Sequence, residues 1–234
     1  MATQAVRPGG TLDFARSFTF VTEDPDWIKK VLIGGAFTLL SALLVGIPFV
    51  LGYFSRTLRN VAGGAPRPLP EWDDLGGIFE DGLRLTAVYL LYTLGVVLVL
   101  GVFAAALLVP AFLASGSGKA EDALAAVSAL GIVALYGVVM LVSLALALYL
   151  PAALARAALR GSIADAFAWR ENVAFIMANL ANYALSLVSY LVAGFLAQFG
   201  VLLCCVGVFP AAFWSYLVLA SALGQTARLS PKPV

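Results

Sequence analysis

The stretch Leu85–Leu113 reads LTAVYLLYTLGVVLVLGVFAAALLVPAFL, without a single Asp, Glu, Lys or Arg. A bilayer core of about 30 Å is crossed by about 20 apolar residues in a helix. The run is therefore long enough to cross, and it lacks the period-two alternation of a half-buried strand. In lipid a continuous apolar segment satisfies its backbone groups by becoming a helix. Four more runs resemble it: Ile28–Phe54, Ala123–Leu150, Val173–Phe199 and Val201–Leu223. Charged residues lie at or beyond the ends of all five.

Composition points the same way. Of 234 residues, 62% are hydrophobic and 12% charged, and the mean hydropathy is +0.98. Soluble domains are about 45–50% apolar and about 25% charged. The expected fold is all-α: an integral membrane bundle of five apolar helical segments, with two or three short amphipathic helices at the headgroup level. Three regions are expected: a polar segment 1–27, one membrane domain 28–225 and a short tail 226–234. Residues 1–27 do not read as a cleavable signal peptide, because the first apolar run begins only at Ile28.

A net charge of +1 provides no basic field for nucleic acid. The chain has no His, the commonest metal ligand and general acid–base group. Cys204 and Cys205 are adjacent in an apolar run and read as small membrane-core residues, not as a zinc site. No catalytic residue, metal site or cofactor is expected, and the chain does not read as an enzyme. The expected partners are the lipid bilayer and other membrane proteins or further copies of the chain.

Local chemistry marks the ends of the runs. Asp24-Pro25-Asp26-Trp27 reads as an N-cap, a proline at the first helical position, an acid in the first turn and an interfacial aromatic. Ser115-Gly116-Ser117-Gly118 reads as a turn. The last two runs require a tight connection around Phe199–Phe209, with Pro210 in the first turn of the final helix. In Trp72–Arg84 the apolar Trp72, Leu75, Ile78, Phe79 and Leu83 recur at helical spacing. Most of the charged residues Asp73, Asp74, Glu80, Asp81 and Arg84 lie opposite them. Ser162–Arg170 repeats the pattern, with Ser162 and Asp165 spaced as a capping box, and Leu12–Phe20 is a less regular third case. Leu75 and Phe79 align loosely with Ile163 and Phe167.

Basic residues mark the cytoplasmic side. Five single crossings would divide them between the two faces. If Ile28–Phe54 instead enters and leaves on one side, only Lys119 is left on the opposite face. This division favours a re-entrant hairpin turning at Val45-Gly46-Ile47-Pro48, with the charged loops and the C-terminus cytoplasmic in the cell membrane. A single helix kinked at Pro48 is the alternative.

Several stretches carry a family resemblance. They are Asp24-Pro25-Asp26-Trp27-Ile28-Lys29-Lys30, Gly52-Tyr53 with Arg56, and Leu69-Pro70-Glu71-Trp72-Asp73-Asp74-Leu75 followed by Phe79, Asp81 and Gly82-Leu83. Val206-Gly207-Val208-Phe209-Pro210 and Gly224-Gln225 complete the set. In these the chain resembles the prokaryotic domain of unknown function 4013 family of multi-pass membrane proteins. The resemblance implies an integral membrane protein and supplies no activity, ligand or catalytic residue.

Two constellations stand out. The acidic set Glu71, Asp73, Asp74, Glu80 and Asp81, with Trp72, is either a cation or partner site or the solvated face of an interfacial helix. Asn179, Asn182, Ser186 and Ser189 step along the fourth run and form either a polar pathway or interhelical hydrogen bonds. Arg56, Arg59, Arg156 and Arg160 flank the presumed cytoplasmic face and either reflect the positive-inside bias alone or meet anionic headgroups. Gly131, Ala134, Gly137, Gly194 and Ala197 suit close helix packing. The functional expectation is a non-enzymatic scaffold or accessory subunit of a membrane complex. A transporter or channel for a small or lipid-like molecule is the alternative.

Overall fold

The computed structural model describes residues 10–114, 121–202 and 206–231, with side chains described throughout except at 107–108 and 110–129. Ser115–Gly118, Lys119 and the cysteines at 204 and 205 lie outside the described residues. Every regular element among the described residues is helical. In chain order these are α1 (Phe14–Thr19), α2 (Trp27–Leu40), α3 (Ile47–Ala62), α4 (Leu75–Ala114), α5 (Glu121–Arg160), α6 (Ile163–Ala166), α7 (Trp169–Ala178), α8 (Leu180–Gln198) and α9 (Val208–Leu229). Short 3-10 turns follow α1, α2 and α8.

The first apolar run is a helical hairpin. Its arms, α2 and α3, have 14 and 16 residues, or about 21 and 24 Å at 1.5 Å per residue. The chain reverses over Ser41–Gly46, where Leu44 takes a left-handed conformation (φ 65°). The turn satisfies its backbone locally: Leu44 N–H donates to Ser41 O (2.9 Å) and Gly46 N–H to Leu40 O (3.3 Å). Phe37 and Phe49, on opposite arms, stack at 4.4 Å.

Four helical stretches among the described residues are long and apolar enough to cross a bilayer: Leu75–Ala106, Leu130–Arg160, Leu180–Leu202 and Val208–Leu229. Two boundaries and one cap differ from those read in the sequence. The amphipathic segment Trp72–Arg84 is not a separate helix, because from Leu75 it runs unbroken into α4. Leu83-Arg84-Leu85 contains no breaker, so the helix that starts beside the acids has nothing to stop it. The fourth run is divided at Asn179 (φ −125°, ψ 27°), which ends α7 and caps α8. Ser162 has the extended backbone of an N-cap, but its side chain makes no capping bond.

The chain forms two compact units, one of Met1–Val88 with Pro151–Val234 and one of Tyr89–Leu150. In the first, α2, α3 and α8 pack on α9, and α1 lies on α8 and α9. Its core joins Phe20, Val21, Val31, Val50, Tyr53, Leu69, Ile78, Phe213 and Leu217. The hairpin and α4 meet backbone to backbone. A Cβ on Gly52 would overlap the Ile78 carbonyl, and one on Gly82 the Pro48 carbonyl. In the second unit, the arms of α4 and α5 are joined by Tyr92 and Tyr149, whose rings lie 5.7 Å apart and whose hydroxyls are 3.3 Å apart.

Candidate functional site

The two most distinctive sequence motifs meet on one buried ammonium. Lys30, in the second turn of α2, donates from Nζ to Asp24 Oδ2 at 2.8 Å, and both side chains are only 3% exposed. The same ammonium bonds Glu71 Oε1 and lies 3.4 Å from the Leu69 carbonyl. Asp24 was expected to cap α2. Its Oδ1 instead accepts from Asp26 N–H (2.9 Å), while its other oxygen is held by Lys30, and the helix starts at Trp27. Burial pulls the Lys30 ammonium downward, but its hydrogen bonds to Asp24 and Glu71, and their charges, leave it above the ordinary lysine range.

An aromatic ladder backs this contact. Phe37 stacks on Trp72 (5.1 Å), Trp72 on Tyr53 (4.4 Å), and Phe213 meets Tyr53 edge-on (5.3 Å). Polar handles fix the rings, as buried Trp and Tyr require. Trp72 Nε1 donates to Lys30 O (3.1 Å) and the Tyr53 hydroxyl to Pro70 O (2.9 Å). The Leu-Pro-Glu-Trp stretch is thereby clamped onto both arms of the hairpin.

Asp74 and Asp81 face arginines of α3. Arg56 bonds Asp74 (2.8 Å) and Asp81 (2.9 Å), and Arg59 bonds Asp81 (2.6 Å). Arg84 pairs with Glu80 along α4. The Arg56 hydrogen bond, then the Gly77 N–H, hold the Asp74 carboxyl below the usual range. Of the acidic set, Asp73 stays exposed and the others are matched by cations of this chain. Among the described residues, no group of three or more His, Cys, Asp or Glu is placed to hold a metal ion. Arg56 and Arg59, considered as headgroup ligands, are ion-paired to Asp74 and Asp81 within the protein. Arg156 is buried and lies 3.9 Å from Asp165.

The polar stripe of α8 is also engaged within the chain. Asn179 Nδ2 donates to Phe175 O (2.9 Å) and Ser230 Oγ (3.0 Å). Asn182 accepts from Leu12 N–H and donates to Gly10 O, both at 2.9 Å. Ser186 returns to Asn182 O and meets Thr226 Oγ1 at 3.0 Å, and Ser189 returns to Leu185 O. Sequence reading missed Lys30, Thr226 and Gln225 as the partners that complete these clusters. Gln225 was visible only as part of a motif. Lys30 had a signal: it sits one turn and a half after Asp24, too far into an apolar helix to be left unpaired.

These helices, with their charged residues paired at one end of the first unit, define an all-α multi-pass membrane protein. The chain belongs to the family described as "Protein of unknown function (DUF4013)", whose model matches residues 36–206. The Asp24–Lys30 motif lies outside the matched range, although it completes the Glu71 contact. No curated protein and no solved structure matches the chain.

Proposed function

We propose that the chain is a non-enzymatic scaffold or accessory subunit of a membrane complex, which presents its second unit to partner transmembrane helices. The observation carrying this reading is the exposure of that unit's helices. In the most apolar window of α4 only 6% of residues are buried within the chain, and in that of α5 none. Val102, Tyr136, Met140 and Leu141 all stand out from these helices. Lipid or a neighbouring helix must cover them.

In the proposed topology α4, α5, α8 and α9 cross the bilayer, and the α2–α3 hairpin enters and returns. Both termini and the charged loops then face the cytoplasm. This arrangement keeps the ion-paired ends together, and the hairpin tip, with Leu43, Leu44 and Val45 exposed, reaches into lipid.

Photo-crosslinking in native membranes tests the role. A crosslinking residue at Val102 or Met140 should give the same discrete protein adduct from both positions. Adducts to lipid alone would overturn the scaffold reading. Transport is the second reading, supported by the polar stripe Asn179, Asn182, Ser186 and Ser189 along α8. Proteoliposome flux that disappears with Asn179→Ala plus Asn182→Ala would favour it.

A further inference from the structure

The segment before α1 is held in an unusual way. Two side-chain amides, from two different helices, grip its backbone. Asn182 of α8 accepts from Leu12 N–H (2.9 Å) and donates to Gly10 O (2.9 Å). Gln225 of α9 accepts from Asp13 N–H (3.1 Å) and donates to Asp13 O (3.4 Å), and its amide also reaches Ser17 Oγ (3.1 Å). Each amide thus offers one donor and one acceptor to the main chain, as a neighbouring β-strand would.

Beneath this grip runs a polar seam. Ser186 and Thr226 bond each other across α8 and α9, Ser221 contacts Gln225, and all three hydroxyl residues are buried. The seam lies at the charged end of the first unit, where a Ser230 hydroxyl also meets Asn179. The segment held by these two amides is lightly anchored. Between Gly10 and Thr19 only Leu12 and Ser17 are buried, and α1 has six residues. Few buried apolar contacts mark the parts of a fold that open first, and both Gln225 bonds to Asp13 are exposed.

We propose that Gly10–Ser17 is a strap that opens and closes over the α8–α9 seam, with Asn182 and Gln225 as its latch. When closed, it satisfies both amides and keeps Ser186 and Thr226 out of contact with water. When open, it uncovers a polar cleft from the cytoplasmic end of α8 and α9, while Phe20 and Val21, buried in the core, keep the strap tethered. The device does not depend on whether the second unit binds a partner, because it belongs wholly to the first.

Two measurements on the full chain in lipid nanodiscs test it. In hydrogen–deuterium exchange, a peptide covering residues 10–17 should exchange at least tenfold faster than peptides from α8 and α9. Exchange of the strap in step with those helices would make it a fixed part of the fold and overturn the proposal. The second measurement uses Ser186→Cys in a background with Cys204→Ser and Cys205→Ser, reacted with a polar maleimide. Labelling should be slow and should rise about tenfold or more when Asn182→Ala and Gln225→Ala are added, with thermal unfolding still cooperative. Where the added substitutions abolish folding, Leu12→Asp supplies the unlatched form. Labelling that stays slow with the latch removed in a folded protein, or is already fast with the latch intact, would equally overturn it.

Discussion

At the residue scale, Lys30 is the most consequential charge in the molecule. Removing one member of a buried ion pair strands the other, at a cost of about 3–5 kcal/mol. Lys30→Met should therefore destabilise the folded protein by about that much, because Asp24 keeps its burial and loses its cation. Adding Asp24→Asn should restore a large part of the loss, and a double-mutant cycle read by thermal unfolding in nanodiscs checks both. The sign of the pH effect follows from the raised Lys30 value. A cation held above its unfolded value gives its full stabilisation at lower pH and loses it as pH rises through the folded value. The parent should show an alkaline loss of stability that Lys30→Met lacks, while near neutrality the Lys30 contribution is full and does not vary with pH. Asp74 runs the other way: its depressed value stabilises above the unfolded carboxyl range and is lost on acidification. Because Asp74 is exposed, that effect should be small and should fade at high salt.

At the element scale, the crossing of the hairpin with α4 rests on two glycines whose missing Cβ atoms let backbones touch. Gly82→Ala should separate α3 from α4 and cost about 1–3 kcal/mol, as overpacking does. Gly95, on the same helix, has nothing within 4 Å of a built Cβ. Gly95→Ala should be neutral or stabilising by up to about 1 kcal/mol, through helix propensity. Parallel melting curves distinguish the two. That α4 runs straight through Arg84 also has a residue-level explanation. The acids at its start favour the positive end of a helix dipole, and the apolar residues that follow extend the helix instead of starting a new one.

At the scale of the whole molecule, the hairpin decides the topology. A tag at the N-terminus and one at the C-terminus should report the same, cytoplasmic, side of intact cells, and Leu44→Cys should be shielded from polar thiol reagents on both sides. An extracytoplasmic N-terminus would mean that residues 28–59 cross once. The sequence hinted at the hairpin through the distribution of basic residues, but the turn expected at Val45-Gly46-Ile47-Pro48 lies earlier, over Ser41–Gly46, and Ile47 and Pro48 already begin α3. That the turn closes its own backbone bonds, with Leu44 at positive φ, was not legible, because leucine gives no signal for that conformation.

Sequence alone determined that this is a helical membrane protein and which stretches supply its apolar helices, since about 20 uncharged residues in lipid leave the backbone little choice. It also marked, as motifs and as a stripe, polar residues that bond to other parts of the chain. Only the tertiary structure decided what they touch. Glu71, Asp74 and Asp81 face lysine and arginine side chains of the hairpin, and Asn182 faces a strap from the far end of the chain. Such pairings join residues from 18 to 172 positions apart. No local period encodes them, because they follow from which helices pack together, and packing depends on the whole shape of the bundle.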